Sequence, residues 1–168
     1  MMSNKNTAIS HFLANSFNEI VKTEELAITN RFPELSFKEM SLIEIVHLAE
    51  LRKTDNSATT IANKLHVTAG TLTTSTSILE KKGYLFRKRW DKDKRVVRIF
   101  TTEKGREAYE FHRLFHLEMV DAMVETLSAE EVEALIRALS GISNFFRSKY
   151  KKLRLIDKVL AYVDHIDK

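Results

Sequence analysis

The sequence predicts a mainly α-helical chain with one small β-hairpin, and three observations lead there. Apolar residues recur at steps of three and four along most of the 168 residues, with only four glycines and one proline to interrupt them. Between residues 84 and 101 that period gives way to β-branched, aromatic and long basic side chains. Capping residues stand where most of the helical stretches open.

The first helix spans about residues 7–30, with Ile9, Phe12, Leu13, Phe17, Ile20 and Val21 stepping along it, and Pro33 closes the segment. Ser36 and Glu39 form a capping box for a second helix through Met40, Ile43, Ile45 and Leu48. A polar loop over residues 53–56 precedes Ser57, which caps a short third helix through Ile61, Ala62 and Leu65. His66 and Val67 make a tight connection to Thr68, the cap of a fourth helix over residues 69–82, and Gly83 stops it. Residues 84–89 and 96–101 read as two strands around a charged turn over 90–95.

A long helix follows from Glu103 to about residue 126. Its apolar residues cover more than one face, with Ala108, Phe111, Phe115 and Met119 on one and Leu114, Leu117 and Val124 on another. Such a helix needs more partners than a small single chain provides, so a dimer is expected. Ser128 and Glu131 form a second capping box, opening a helix through Val132, Leu135, Ile136, Leu139, Ile142 and Phe146. Leu153, Ile156, Val159, Leu160 and Val163 carry an amphipathic pattern on through a basic tail.

A short helix, a tight turn, a second helix and a hairpin in that order make a winged helix-turn-helix. The expected organisation is an N-terminal dimerisation helix (7–34), the winged motif (36–102), C-terminal dimerisation helices (103–150) and an extra amphipathic helix (151–168). The second helix of such a motif enters the major groove of DNA by its N-terminal residues. Here those residues are Thr68, Ala69, Gly70, Thr71, Thr73 and Thr74, with Ser77 one turn on, while Leu72, Thr76 and Leu79 share the inward face. Hydroxyls donate or accept at base edges and phosphates, and small residues permit close approach. Capping accounts for some of these threonines, but they are more numerous than capping requires.

The charge pattern agrees. Residues 81–98 hold nine basic residues against Asp91 and Asp93, a net +7 in a chain whose total is +4. Positive charge gathered on one element marks a phosphate-binding surface. Lys92, Lys94 and Arg95 fall at the hairpin tip and Arg87, Arg89 and Arg98 on its strands, with Asp93 as an orienting partner for Arg95. A basic tip follows a phosphate ridge or enters a narrow minor groove.

Three runs carry a resemblance to a known family: residues 61–67 before the recognition helix, Leu79-Glu80-Lys81-Lys82-Gly83-Tyr84 after it, and Asp93-Lys94-Arg95 followed by Thr102-Glu103-Lys104-Gly105. Together they resemble the MarR-type regulators over roughly residues 10–146; Thr101 stands where that family usually has leucine. The resemblance implies a homodimeric repressor with interlocked terminal helices and two winged domains on a palindromic operator in double-stranded DNA. Residues 35–40, 43–45, 70–75, 94–97 and 112–120 are similar to the members that repress fatty-acid synthesis genes. That likeness implies long-chain acyl carrier protein as co-repressor. Release by a small aromatic ligand and response to a metal are the alternatives within the family. Related regulators hold ligands near the dimer helices, which makes Phe17, Phe37, Met40, Phe111, Phe115 and Met119 candidate pocket residues, although each is first of all a core residue.

Other classes find less support. His112 and His116 share one face of the long helix, a spacing that suits a metal, but Glu118 lies off that face and there is no cysteine. They are therefore read as ordinary half-buried histidines, and no metal or cofactor is expected. No glycine-rich phosphate loop, nucleophile elbow or zinc-protease signature is present, so no enzyme activity is expected. Without cysteine, disulfides, thiol redox switching and a cysteine nucleophile are excluded. No apolar run reaches eighteen residues and the first residues lack the order of a secretory signal, which predicts a cytoplasmic protein without membrane contact.

Overall fold

A computed structural model describes residues 4–166, with side chains described through Leu153. The elements run α1 (Asn4–Arg31), α2 (Phe37–Leu51), α3 (Ala58–Leu65), α4 (Ala69–Lys81), β1 (Leu85–Trp90), β2 (Asp93–Thr101), α5 (Glu103–Val124) and α6 (Ala129–Ile166). They form two compact units, divided between Leu117 and Glu118.

The helix starts are set by local chemistry. Ser36 and Glu39 close a reciprocal capping box on α2, and Ser57 and Thr68 accept the backbone N–H groups of Thr60 and Thr71 to open α3 and α4. Ser128 and Glu131 bond reciprocally at the start of α6. After α4 the chain reverses at Gly83, whose φ of 80° is a left-handed conformation that suits glycine.

In the first unit the C-terminal end of α1 (Ile28), the inward face of α2 (Met40, Ile43, Val46) and Leu72 and Leu79 of α4 close over Tyr84, Leu85 and Ile99 at the hairpin base. Ala108 and Tyr109 of α5 complete that core. The N-terminal half of α1 contributes nothing to it: Ile9, Phe12, Phe17 and Val21 are all exposed.

Two sequence expectations change. The hairpin turn is only Asp91-Lys92, because the strands extend to Trp90 and Asp93. Arg89 pairs with Val97 but Trp90 pairs with Asp93, so residues 94–96 bulge out of the ladder. No helix boundary falls near residue 151 either. With neither glycine nor proline after Gly141, α6 passes that point unbroken. The docking expected of the tail's side chains from Arg154 on lies outside the described residues. No described helix is long and apolar enough to cross a membrane.

A polar clasp joins the α1–α2 loop, the hairpin base and α5. Glu34 accepts from Lys104 Nζ at 2.8 Å and from Tyr84 Oη at 2.6 Å, and these bonds lower its carboxyl from 4.5 to about 2. A folded value below the unfolded one stabilises above pH 4.5 and is lost as pH falls toward 2. Glu34 is partly exposed, so screening keeps the gain small. Glu34→Gln is expected to lower Tm slightly at neutral pH and to flatten its decline between pH 4.5 and 2 in thermal melts; an unchanged acid limb would mean the clasp is energetically silent.

Candidate nucleic-acid interface

The recognition helix α4 turns two faces to different work. Leu72, Thr76 and Leu79 are buried against the core, which leaves Ala69, Gly70, Thr71, Thr73 and Thr74 exposed around the helix start. The hydroxyls are not equivalent. Thr68 Oγ1 caps the helix and lies 2.9 Å from Thr71 Oγ1, and Thr73 Oγ1 donates to the Ala69 carbonyl at 2.8 Å. Thr74 alone of the four is exposed with a hydroxyl that has no partner among the described residues. Ser77, expected to point freely outward, is half-buried and accepts from Arg87 Nη2 at 3.0 Å.

The six cations placed on the hairpin divide into anchors and free charges. Arg87 donates from its backbone N and its Nε to the two oxygens of Glu80, at 2.8 and 2.9 Å, which ties β1 to α4. Arg98 donates to Asn56 Oδ1 at 2.9 Å and lies over the Trp90 ring at 4.6 Å. Asn56 in turn donates to the Ile99 carbonyl, so the loop before α3 is bolted to β2. These two arginines hold the hairpin in place. Only partner atoms from α4 and the loop distinguish them from the free cations, and spacing along the strands does not.

The remaining four face solvent. Arg89 has no carboxylate partner among the described residues, and Lys92 stands 5.8 Å from the Trp90 ring centre. Lys94 reaches Asp91 at 3.1 Å. Arg95 donates through Nε and Nη2 to the two oxygens of Asp93, both at 3.1 Å, and its side chain is 92% exposed. The guanidinium holds the Asp93 carboxyl below its ordinary value. An ion pair this exposed is weak enough for a phosphate to displace. The bulge over 94–96 carries Lys94 and Arg95 clear of the strand ladder. Lys88 of β1 is exposed as well, and the Glu80–Arg87 bond holds these solvent-facing cations in a fixed relation to the hydroxyls and small residues of α4.

The candidate ligand residues stand in different surroundings. Met40 is fully buried and Phe37 packs against the core, while Phe17 lies on the exposed half of α1. Phe115 is half-buried beside His116, and Met119 belongs to the second unit. Phe111 lines an open groove of about 600 Å³ with Arg31, His47, Arg106, Tyr109 and Leu114. The core thus holds Met40 and borders Phe37 and Phe111, three of the six.

The histidine pair has company that spacing along α5 does not reveal. Glu24 of α1 reaches it, with Oε1 2.8 Å from His116 Nε2 and 3.7 Å from His112 Nε2. Thr101 is buried and donates to Glu50 Oε2, leaving its oxygen to accept from His47 Nδ1 at 3.1 Å. A hydroxyl in place of an apolar side chain is thereby satisfied.

Residues 34–111 match the sequence profile of the SarA/Rot transcriptional regulators. No curated protein matches the chain by sequence. Among solved structures, Streptococcus pneumoniae FabT in complex with DNA is 33% identical with a TM-score of 0.77, over 85% of this chain and 98% of that one. The S. aureus MepR–DNA complex is 20% identical with a TM-score of 0.66, covering 84% and 98%. A MarR/EmrR family regulator from Acinetobacter sp. ADP1 is 23% identical with a TM-score of 0.62, covering 84% and 96%. The last two show a shared fold.

Proposed function

Because the chain belongs to the MarR family of winged-helix transcriptional regulators, we propose that it is a homodimeric repressor that binds an inverted-repeat operator in double-stranded DNA and has no catalytic role. One observation carries the reading: an exposed hydroxyl-rich start of α4 is locked by Glu80 and Arg87 to a hairpin bearing a cluster of solvent-facing cations. The helix start reads base edges in the major groove, with Thr74 as its free hydroxyl, while Lys94 and Arg95 meet phosphate or the minor groove. The complex of FabT with DNA supports DNA binding.

The test starts by selecting sites from a random duplex pool and measuring binding by fluorescence anisotropy across salt concentrations. Arg95→Ala removes one contact from each protomer, so the slope of log K against log salt is expected to fall by about 2, with similar losses on selected and random DNA. Thr74→Ala is expected to cost about 1–3 kcal/mol of discrimination and to leave that slope alone. Equal loss on both DNAs for Thr74→Ala would refute its reading role, and failure to enrich any site would refute the operator.

For the effector, the likeness to fatty-acid synthesis repressors supports long-chain acyl carrier protein as co-repressor. In the same assay the acylated carrier should tighten operator binding and the free carrier should not. No change, or release of DNA, would discard the co-repressor and leave the operator result standing.

A further inference from the structure

We propose that Glu24, His112 and His116 form a binding site for a divalent transition-metal ion of the zinc class. Glu24 and His112 are each 4% exposed, and His116 stands one helical turn beyond His112 with a side chain 38% exposed. Their ligand atoms converge: 2.8 Å from Glu24 Oε1 to His116 Nε2, 3.2 Å between the two Nε2 atoms, and 3.7 Å from Glu24 Oε1 to His112 Nε2. A tetrahedron with metal–ligand bonds of about 2.0–2.1 Å has edges of about 3.3 Å, so these separations straddle one triangular face of it.

The hydrogen bonding within the cluster is incomplete in a way that an ion resolves. Glu24 Oε1 is buried and receives no hydrogen bond, although His116 Nε2 is close, because that nitrogen is not aligned to donate to it. Between the two facing Nε2 atoms a single proton serves one as donor and the other as acceptor, which leaves none for the carboxylate. A buried carboxylate oxygen without a partner is costly. A dication accepts a lone pair from all three atoms and neutralises the charge.

The outer surroundings fit as well. Glu44 Oε2 of α2 stands 3.5 Å from Nδ1 of His112, the ring nitrogen that faces away from the cluster. A carboxylate in that place fixes the tautomer and the ring orientation of a ligating histidine, and raises its basicity. Two imidazoles and one carboxylate, with no thiolate, suit zinc, cobalt or nickel better than magnesium or calcium. Three protein ligands leave a fourth position for water or an exogenous group on the exposed side of His116. Bound there, the ion joins α1 to α5.

Metal uptake is measured on tag-free, chelator-treated full-length chain without DNA, so its outcome is independent of the operator reading. Expected results are one Zn²⁺ per chain by elemental analysis after gel filtration, a Tm raised by several degrees on adding Zn²⁺, and visible absorption of a tetrahedral site with Co²⁺. His116→Ala should abolish the Tm shift and the cobalt spectrum, and Glu44→Gln should weaken Zn²⁺ binding about 10–100-fold. Glu24→Gln keeps the side-chain shape and should also lose the site; the exposed His116 carries the test if that variant does not fold. Wild type that takes up no zinc, or His116→Ala that binds as tightly as wild type, overturns the proposal.

Discussion

Gly105→Ala is expected to destabilise the first unit severely. A Cβ at this position would sit 2.3 Å from the Tyr84 carbonyl oxygen and 3.3 Å from Thr101 Cβ. The obstacle is backbone, and it is held: the Tyr84 carbonyl accepts from the Thr102 N–H at 3.0 Å and from Thr102 Oγ1 at 3.1 Å. Relief requires α5 to move away from the hairpin base, which opens the contacts of fully buried Tyr84 and Ala108. Helix propensity favours alanine over glycine by about 1 kcal/mol, but overpacking costs typically 1–3 kcal/mol, and loss of the Tyr84 carbonyl bonds adds about 1 kcal/mol each. A net loss near 3 kcal/mol corresponds to a Tm lower by roughly 6–12 °C for a chain of this size. Gly141 is the control. It lies inside α6 with nothing within 4 Å of an added Cβ, so Gly141→Ala should stabilise slightly, by up to about 1 kcal/mol. Circular-dichroism melts compare the two, and a Gly105→Ala chain as stable as wild type would show that the α5–hairpin junction is looser than described.

What could be read from the sequence was local. The boxes Ser36/Glu39 and Ser128/Glu131 and the caps Ser57 and Thr68 each act over three residues, and each stands where the residues placed it. The inward face of α4 followed from helical spacing alone. The hairpin register did not, because the bulge between Arg89 and Trp90 depends on cross-strand pairing that alternation in one strand does not encode. Nor did composition separate the anchoring cations from the free ones, since Arg87 and Arg98 are distinguished by Glu80 and Asn56 on other elements. Histidine spacing on α5 is legible, yet the third donor comes from Glu24, 88 positions before His112 and far from it except in the folded chain. The full burial of Met40, one of the candidate pocket residues, was not legible for a related reason. An inward-facing apolar residue is claimed by the core whenever another element covers it, and Met40 was covered.

Charging the exposed apolar stripe of α1 is expected to convert the protein to monomers and to weaken operator binding strongly. Phe12 is 70% exposed, and Ile9, Phe17 and Val21 step along the same helix half with no partner in the core. In the second unit Ile136, Leu139, Phe145 and Phe146 of α6 are likewise exposed. Stripes of this extent are uncommon on monomers and mark association surfaces. Burying each large side chain in a partner is worth about 1.5–3 kcal/mol, and several per protomer sustain an obligate dimer. Phe12→Glu replaces the most exposed apolar side chain among those described with a charge that association would have to desolvate. Sedimentation velocity at micromolar concentration should give twice the chain mass for wild type and the chain mass for Phe12→Glu, with Phe146→Glu as the corresponding variant on α6. A monomer engages one half-site, so loss of the second contact should weaken operator binding by about 10²–10⁴-fold through lost effective concentration. Arg95→Ala, by contrast, should leave the mass at two chains and weaken binding through the salt-dependent component. Wild type sedimenting as a folded monomer would refute the dimer, and Phe12→Glu dimers with normal operator affinity would remove α1 from its interface.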